Sequence, residues 1–216
     1  MSDSPRLADL TVDALLDRLA SSDPVPGGGS AAALAGAMGA GLVAMVAELT
    51  AGRPEYAEHD GTVTELKAAA LARKGLLLTL AEVDASAYEA VVSARRLPKD
   101  SEPEREARAT ALRGAMVEAA RVPMRTAVVA GEVLELAERI APIGNRNAVS
   151  DAGVAARLSA AALRGALLNV RINLPYLPAD EPLRLSAPAE IARLEAAATE
   201  HERAALDAVD ARLAPS

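Results

Sequence analysis

Apolar positions along this chain recur every three or four residues in long runs, and no stretch alternates apolar with polar residues. That period marks amphipathic helices rather than strands. The first run predicts a helix from about Leu7 to Ala20, with Leu10, Ala14, Leu15 and Leu19 on its apolar face. "SSDPVPGGG" ends it, because prolines and glycines in that order cannot continue a helix. A second helix is predicted from about Ser30 to Thr50, stopped by "AGRP", and a third from about Ala57 to Arg96, closed by "RLPKDSEP". Glu102-Pro103 puts proline in the first turn of a fourth helix reaching about Ile140, with a kink expected at Pro123, where a backbone donor is missing. "APIGNRN" is a break, with Gly144 placed to end one helix and Asn147 or Ser150 to cap the next. A fifth helix covers about Ala148 to Leu174 and stops at Pro175. "YLPADEPLRLSAP" reads as a loop, and a last helix covers about Pro188 to Leu213. The expectation is an all-α, single-domain bundle of about six long helices over residues 1–216, without repeats or linkers.

Composition sharpens this picture. Hydrophobic residues make up 51% of 216, yet Phe, Trp and Cys are absent, so the core must be built from Ala, Leu, Val, Met and Ile. Ala and Leu are strong helix formers, and strand-favouring residues are scarce. Without cysteine there is no disulfide and no thiolate chemistry, which fits a reducing compartment. The two histidines, His59 and His201, lie in separate segments, so a zinc site has no ligand set, and no loop has calcium-ligand spacing; no metal is expected. Thirty acidic against twenty-three basic residues give a net charge of −7, and no basic cluster appears, so nucleic acid is not an expected partner. "MSDSPRLADL" lacks a basic region followed by an apolar run, and a cytoplasmic protein is expected.

The second helix is the unusual one, with no charged residue from Pro24 to Ala47. It is long enough to span a bilayer, but it is mostly Ala and Gly and lacks aromatic or basic flanks, so no membrane partner is expected. "PGGGS" is not a Walker loop, which needs Lys then Ser or Thr after its last glycine and a strand before it. Gly28, Ala32, Gly36, Ala40 and Ala44 recur every fourth residue, as do Ala31, Ala35, Gly39, Val43 and Ala47. Small residues on successive turns let another backbone approach, as in the centre of a bundle or at a subunit contact. The glycine turn either serves that packing, or exposes uncommitted N–H groups at a helix start to an anion or an oxygen that becomes negative during reaction.

Two further segments carry candidate chemistry. Asp84 and Tyr88 lie one turn apart in "LLLTLAEVDASAYEAVV"; they either face water or aim a carboxylate with a raised pKa into a cleft. In "GNRNAVSDAGVAARLSAAALRGALLNVRINLP", Asp151 and Asn169 share one azimuth five turns apart, with Asn173 nearby. Arg157, Arg164 and Arg171 repeat every seven residues, either as a solvated face or as a stripe for an anionic ligand. Asp151 can equally do no more than favour the helix dipole. Asn145 and Asn147 sit in the break itself, where amides often serve function.

"SSDPVPGGGSAAALAGAMGAGLVAMVAELTAGRPEY" and "GNRNAVSDAGVAARLSAAALRGALLNVRINL" resemble the cyclodeaminase domain of formiminotransferase-cyclodeaminase and its free-standing bacterial relatives, the methenyltetrahydrofolate cyclohydrolases. "DASAYEAV", "RLPKDSEPE" and "AARVPM" match intervening family features in order, so the likeness covers about Leu7 to Leu213. The resemblance implies an all-helical homodimer acting on tetrahydrofolate derivatives, polyglutamylated ones among them, with no metal or redox cofactor. Two reactions are implied. One closes 5-formiminotetrahydrofolate to 5,10-methenyltetrahydrofolate with release of ammonia; the other adds water to the methenyl bridge, giving 10-formyltetrahydrofolate. Under that resemblance Asp84 and Asp151 are the candidate acid–base residues. Gly27, Gly28, Gly29 and Ser30 are candidate N–H donors, and Asn145 and Asn147 would orient pterin or water. Arg164 or Arg171 would meet the glutamate tail, with Tyr88 and Asn169 also placed at the substrate, and Tyr56, Tyr88 and Tyr176 as the aromatic options for stacking. The alternative is a catalytically silent folate-binding or interaction module on the same helical dimer.

Overall fold

The computed structural model describes residues 5–214, and among them every regular element is helical. Six α-helices follow in order: α1 (Val12–Ala20), α2 (Gly28–Thr50), α3 (Asp60–Arg96), α4 (Glu102–Ile140), α5 (Val149–Asn173) and α6 (Pro182–Leu213). Short 3₁₀ turns precede α1, α3 and α5 and follow α5. The all-helical expectation from the 3.6-residue period therefore holds.

The helix ends differ from expectation where local chemistry competes. The first run is split, because Thr11 caps α1 by accepting the Ala14 N–H (3.2 Å), leaving Leu7–Asp9 as a 3₁₀ turn. α2 starts at Gly28, so two glycines of the turn lie inside the helix. α4 opens with a reciprocal capping box between Ser101 and Glu104 and runs without a break through Pro123, which is buried among neighbours that hold the helix on both sides. α6 begins at Pro182 rather than Pro188: proline is pre-set for a first turn, and Pro188 is then carried inside the helix. At the α4–α5 break neither Asn147 nor Ser150 caps the helix; the Asn145 side chain accepts the Asn147 N–H (2.9 Å) instead.

α2 is the central helix, packed mainly against α3 and α5, and α6 lies across α4 and α5. The small residues of α2 do what their spacing implies. A Cβ at Gly39 would lie 2.5 Å from Ser159 Oγ and 3.1 Å from the Ala155 carbonyl, and one at Gly36 would lie 3.3 Å from Ala162 Cβ. Glycine there lets the α2 and α5 backbones approach more closely than any side chain would allow. α2 is long and apolar enough to cross a membrane, but 61% of its apolar window is buried inside the bundle. Its hydrophobicity is that of a core helix. Leu66, Leu77, Leu80, Leu134, Leu163 and Leu167 fill the main core without aromatic help. A satellite cluster of Val91, Met116, Val117, Ala120 and Leu177 joins the C-terminal part of α3 to the first half of α4 and to the segment after α5.

Candidate active site

The turn before α2, the C-terminal third of α3, α4 around Met116 and the end of α5 enclose a cleft of about 360 Å³. A volume of that order suits a small organic ligand. The turn enters through a cis Val25–Pro26 peptide and reaches α2 at Gly27, whose missing side chain leaves the helix start without a local cap.

Asp84 supplies what the turn lacks. It projects from α3 onto the start of α2, where the Ser30 backbone N–H and hydroxyl both bond to its carboxylate, the hydroxyl at 3.0 Å. A carboxylate there also answers the positive end of the α2 dipole. Gly29 makes the approach possible, since a Cβ on it would sit 2.6 Å from Asp84 Cγ. Gly28 is looser: its Cβ would meet only the Asn169 amide, at 3.7 Å. Burial pushes the Asp84 carboxyl above its ordinary range, and the two Ser30 hydrogen bonds pull back without cancelling the rise. The Ser30 hydroxyl lies 2.9 Å from the Ala81 carbonyl as well. It has one proton, so it satisfies Ala81 fully only when Asp84 is protonated and donates to the serine oxygen in return. The surroundings thus accommodate both charge states, as a group that takes up and returns a proton requires.

Opposite Asp84, α5 presents Asn169 and Asn173. Asn169 donates its amide to the Gly165 carbonyl (3.0 Å), and Asn173 donates to the Ala119 and Asn169 carbonyls (2.8 and 2.9 Å). Asn173 has both amide hydrogens committed to backbone and offers the cleft only its oxygen, whereas Asn169 keeps its oxygen and one N–H. Tyr88 and Tyr176, 44% and 64% exposed, flank the opening.

Of the residues expected at a site, Gly27, Gly28, Gly29, Asp84, Tyr88, Asn169 and Tyr176 line this cleft, and Ser30 is bonded to Asp84 directly behind it. The others lie elsewhere. Asp151 does share an azimuth with Asn169, but eighteen residues of α5 separate them by about 27 Å, too far for one ligand within one chain. Asn145, 3% exposed, is a clasp: its N–H donates to Thr50 Oγ1 (2.7 Å) and its amide to the Leu49 carbonyl (2.8 Å), tying the end of α2 to the α4–α5 turn. Asn147 is exposed beside it. Arg157 and Arg164 both pair with Glu202 (2.9 and 2.8 Å) and Arg171 pairs with Glu195 (2.8 Å), so the arginine stripe neither faces bare water nor meets the cleft but binds α6. Tyr56 likewise serves structure, its hydroxyl accepting the Arg146 N–H (3.0 Å).

Sequence reasoning missed Arg95 and Met116, which line the outer end of the cleft. Arg95 had a readable signal, because residues 84, 88, 91 and 95 follow one face of α3 at helical spacing. Met116 had none, since only the pairing of α3 with α4 brings it there.

Fold and cleft together define an all-helical protein with a small-molecule site centred on one desolvated carboxylate. Residues 11–193 match the model of the formiminotransferase-cyclodeaminase family, and the chain belongs to that family. It is 45% identical over 166 residues to a methenyltetrahydrofolate cyclohydrolase of Methylorubrum extorquens, covering 76% of this chain and 78% of that one. It is 33% identical over 174 residues to the formimidoyltransferase-cyclodeaminase of Rattus norvegicus, covering 81% of this chain but only 32% of the rat protein. The structure superposes on a crystal structure of formiminotetrahydrofolate cyclodeaminase from Thermotoga maritima with a TM-score of 0.84 at 29% identity, covering 95% of this chain and 98% of that one.

Proposed function

We propose that this chain is a folate one-carbon enzyme acting at the carbon that bridges N5 and N10 of tetrahydrofolate, and that its main reaction is that of a 5,10-methenyltetrahydrofolate cyclohydrolase. The observation that carries the reading is Asp84: a carboxylate with a raised pKa, at the wall of an open cleft, seated against Gly29, where no side chain fits. The 45% identity to a cyclohydrolase supports this reaction over the deaminase one.

The chemistry fits the groups present. The methenyl bridge is cationic, so an ionised Asp84 stabilises it and takes the proton of the water that adds to the bridging carbon. The resulting tetrahedral carbon collapses to a formyl group on N10 as its hydroxyl proton passes to solvent, and the proton held by Asp84 is returned to N5 as its bond to carbon breaks. Cyclodeaminase chemistry uses the same carbon: N10 attacks the protonated formimino group, Asp84 takes the N10 proton, and that proton is delivered to the amino group as it departs as ammonia. Both need acid–base groups alone, without metal or redox cofactor. The amide oxygens of Asn169 and Asn173 suit a ring edged by N–H donors, as a pterin is.

The working form is read as a cytoplasmic homodimer. An apolar groove runs between α1, α2 and α3, with Val12, Leu16 and Met38 74%, 57% and 58% exposed along it, which suits a second copy of the same face. A dimer mass in detergent-free solution is expected.

Purified protein should accelerate the loss of near-ultraviolet absorbance of 5,10-methenyltetrahydrofolate above its spontaneous rate. Incubation with 5-formiminotetrahydrofolate should show whether that absorbance also appears by deamination. Folate binding without acceleration of either reaction would leave the silent binding module instead.

A further inference from the structure

The cleft has two charged ends. Only Asp84 and Arg95 among its lining residues carry charge, and both stand on α3. Residues 84, 88, 91 and 95 fall within about 60° of one another around the helix axis, and the eleven steps from first to last rise about 16 Å. Between the charged ends lie Tyr88 and Val91, with Met116 facing from α4 and the satellite apolar cluster beneath. The cleft is therefore a ruler: a proton-handling carboxylate at one end, an apolar middle, and a guanidinium at the other.

Arg95 differs from the arginines on α5 in having no carboxylate partner among the described residues, whereas Arg157, Arg164 and Arg171 are each bound to a glutamate of α6. The guanidinium of Arg108 donates to the Arg95 carbonyl (3.3 and 3.2 Å), which pins the end of α3 and brings a second cation to the same corner. In a chain of net charge −7, a substrate with a multiply anionic tail is repelled except where such a corner exists.

We propose that Arg95 is the receptor for the acidic tail of the substrate, its guanidinium pairing with a carboxylate of the p-aminobenzoylglutamate arm. Val91 and Met116 then hold the aryl ring while the reacting carbon sits at Asp84. The inference rests on the folate reading. One aryl ring, one amide and the bonds to a glutamate carboxylate span about 10 Å at ordinary bond lengths. The arginine side chain covers the remaining 6 Å or so of the 16 Å rise. Guanidinium is suited to the task because it binds carboxylate through two parallel hydrogen bonds.

The test compares two substrates on two proteins: 5,10-methenyltetrahydrofolate and its counterpart ending in a neutral methylamide in place of glutamate, with wild type and Arg95→Ala. The Arg95 carbonyl that anchors Arg108 is backbone and survives the substitution, and circular dichroism checks the fold. Arg95→Ala is expected to raise KM for the glutamate substrate about ten-fold or more, with a much smaller fall in kcat. KM for the methylamide should stay within about two-fold, since no charge pair exists there to lose. Arg95→Lys should recover part of the loss. Equal effects on the two substrates, or none on either, overturn the assignment while leaving the folate reading intact. Wild-type protein that neither binds nor turns over either compound refutes the folate reading itself, and the tail receptor falls with it.

Discussion

Asp84 and Glu202 are both carboxylates drawn out of water, and the molecule treats them in opposite ways. Glu202, its side chain 13% exposed, would be raised by burial, but the guanidiniums of Arg164 and Arg157 outweigh that and hold its pKa below the ordinary value of 4.5. Asp84 has no cation against it, only the serine at the start of α2, and burial wins. Pairing favours the ionised form of a carboxylate; desolvation without a pair favours the protonated form and moves proton exchange above the ordinary aspartate range. The same residue chemistry thus gives a structural clamp on the α5–α6 face and an unpaired, desolvated carboxylate in the cleft.

The largest effect that would test the contrast is on turnover. Asp84→Asn keeps the shape and the hydrogen-bonding reach but cannot take a proton, and should lower methenyl hydrolysis about 100-fold or more. The melting temperature at neutral pH should hardly fall, because a raised pKa means that the ionised form costs stability there. A wild-type rate in this variant would end the assignment of Asp84 as the base. In wild type the rate should rise with pH along a limb whose midpoint lies above the ordinary aspartate value of 3.8.

Next comes the glycine turn. A Cβ at Gly29 collides with the Asp84 carboxyl, whereas one at Gly28 meets nothing closer than 3.7 Å. Gly29→Ala should cost about 1–3 kcal/mol by denaturant titration and most of the activity, since the carboxylate must move. Gly28→Ala should leave stability nearly as it was. Equal tolerance at both positions would show that the carboxylate does not depend on the close approach.

Glu202→Gln probes the other side. Losing the charge should cost about 1–2 kcal/mol at neutral pH, reduced by the half-exposed arginines and by salt, with turnover unchanged. The sign with pH separates the two carboxylates. The Glu202 contribution is present above 4.5 and is lost as pH falls through its lowered folded value. That of Asp84 is present below 3.8 and is lost as pH rises through its raised one. Differences in unfolding free energy between wild type and each variant, followed across acid pH, should therefore run in opposite directions. Smallest of all is Arg157→Ala, which leaves Arg164 on Glu202 and removes a side chain that is 66% exposed, for about 0.5 kcal/mol or less.

What could be read from the chain alone was whatever depends on near neighbours along it. Helical period, proline and glycine stops, and the shared face of Asp84 and Tyr88 are set within a turn or two of backbone, so they were legible. The small-residue spacing of α2 announced a close helix contact in the same way. The partner of each exposed face was not legible, because it is chosen by packing across long separations. Thr50 and Leu49 receive Asn145 from about ninety-five residues away, and Glu202 reaches back thirty-eight and forty-five residues to Arg164 and Arg157. Helical geometry placed Asp151 in line with Asn169 and about 27 Å from it, but said nothing of which of the two faces the cleft. Only the tertiary structure decided that the unpaired carboxylate faces the cleft, that the arginine stripe is spent on α6, and that the free guanidinium at the cleft's far end belongs to Arg95. The reason is that desolvation and charge pairing depend on what surrounds a group in space, and helical periodicity carries no record of that.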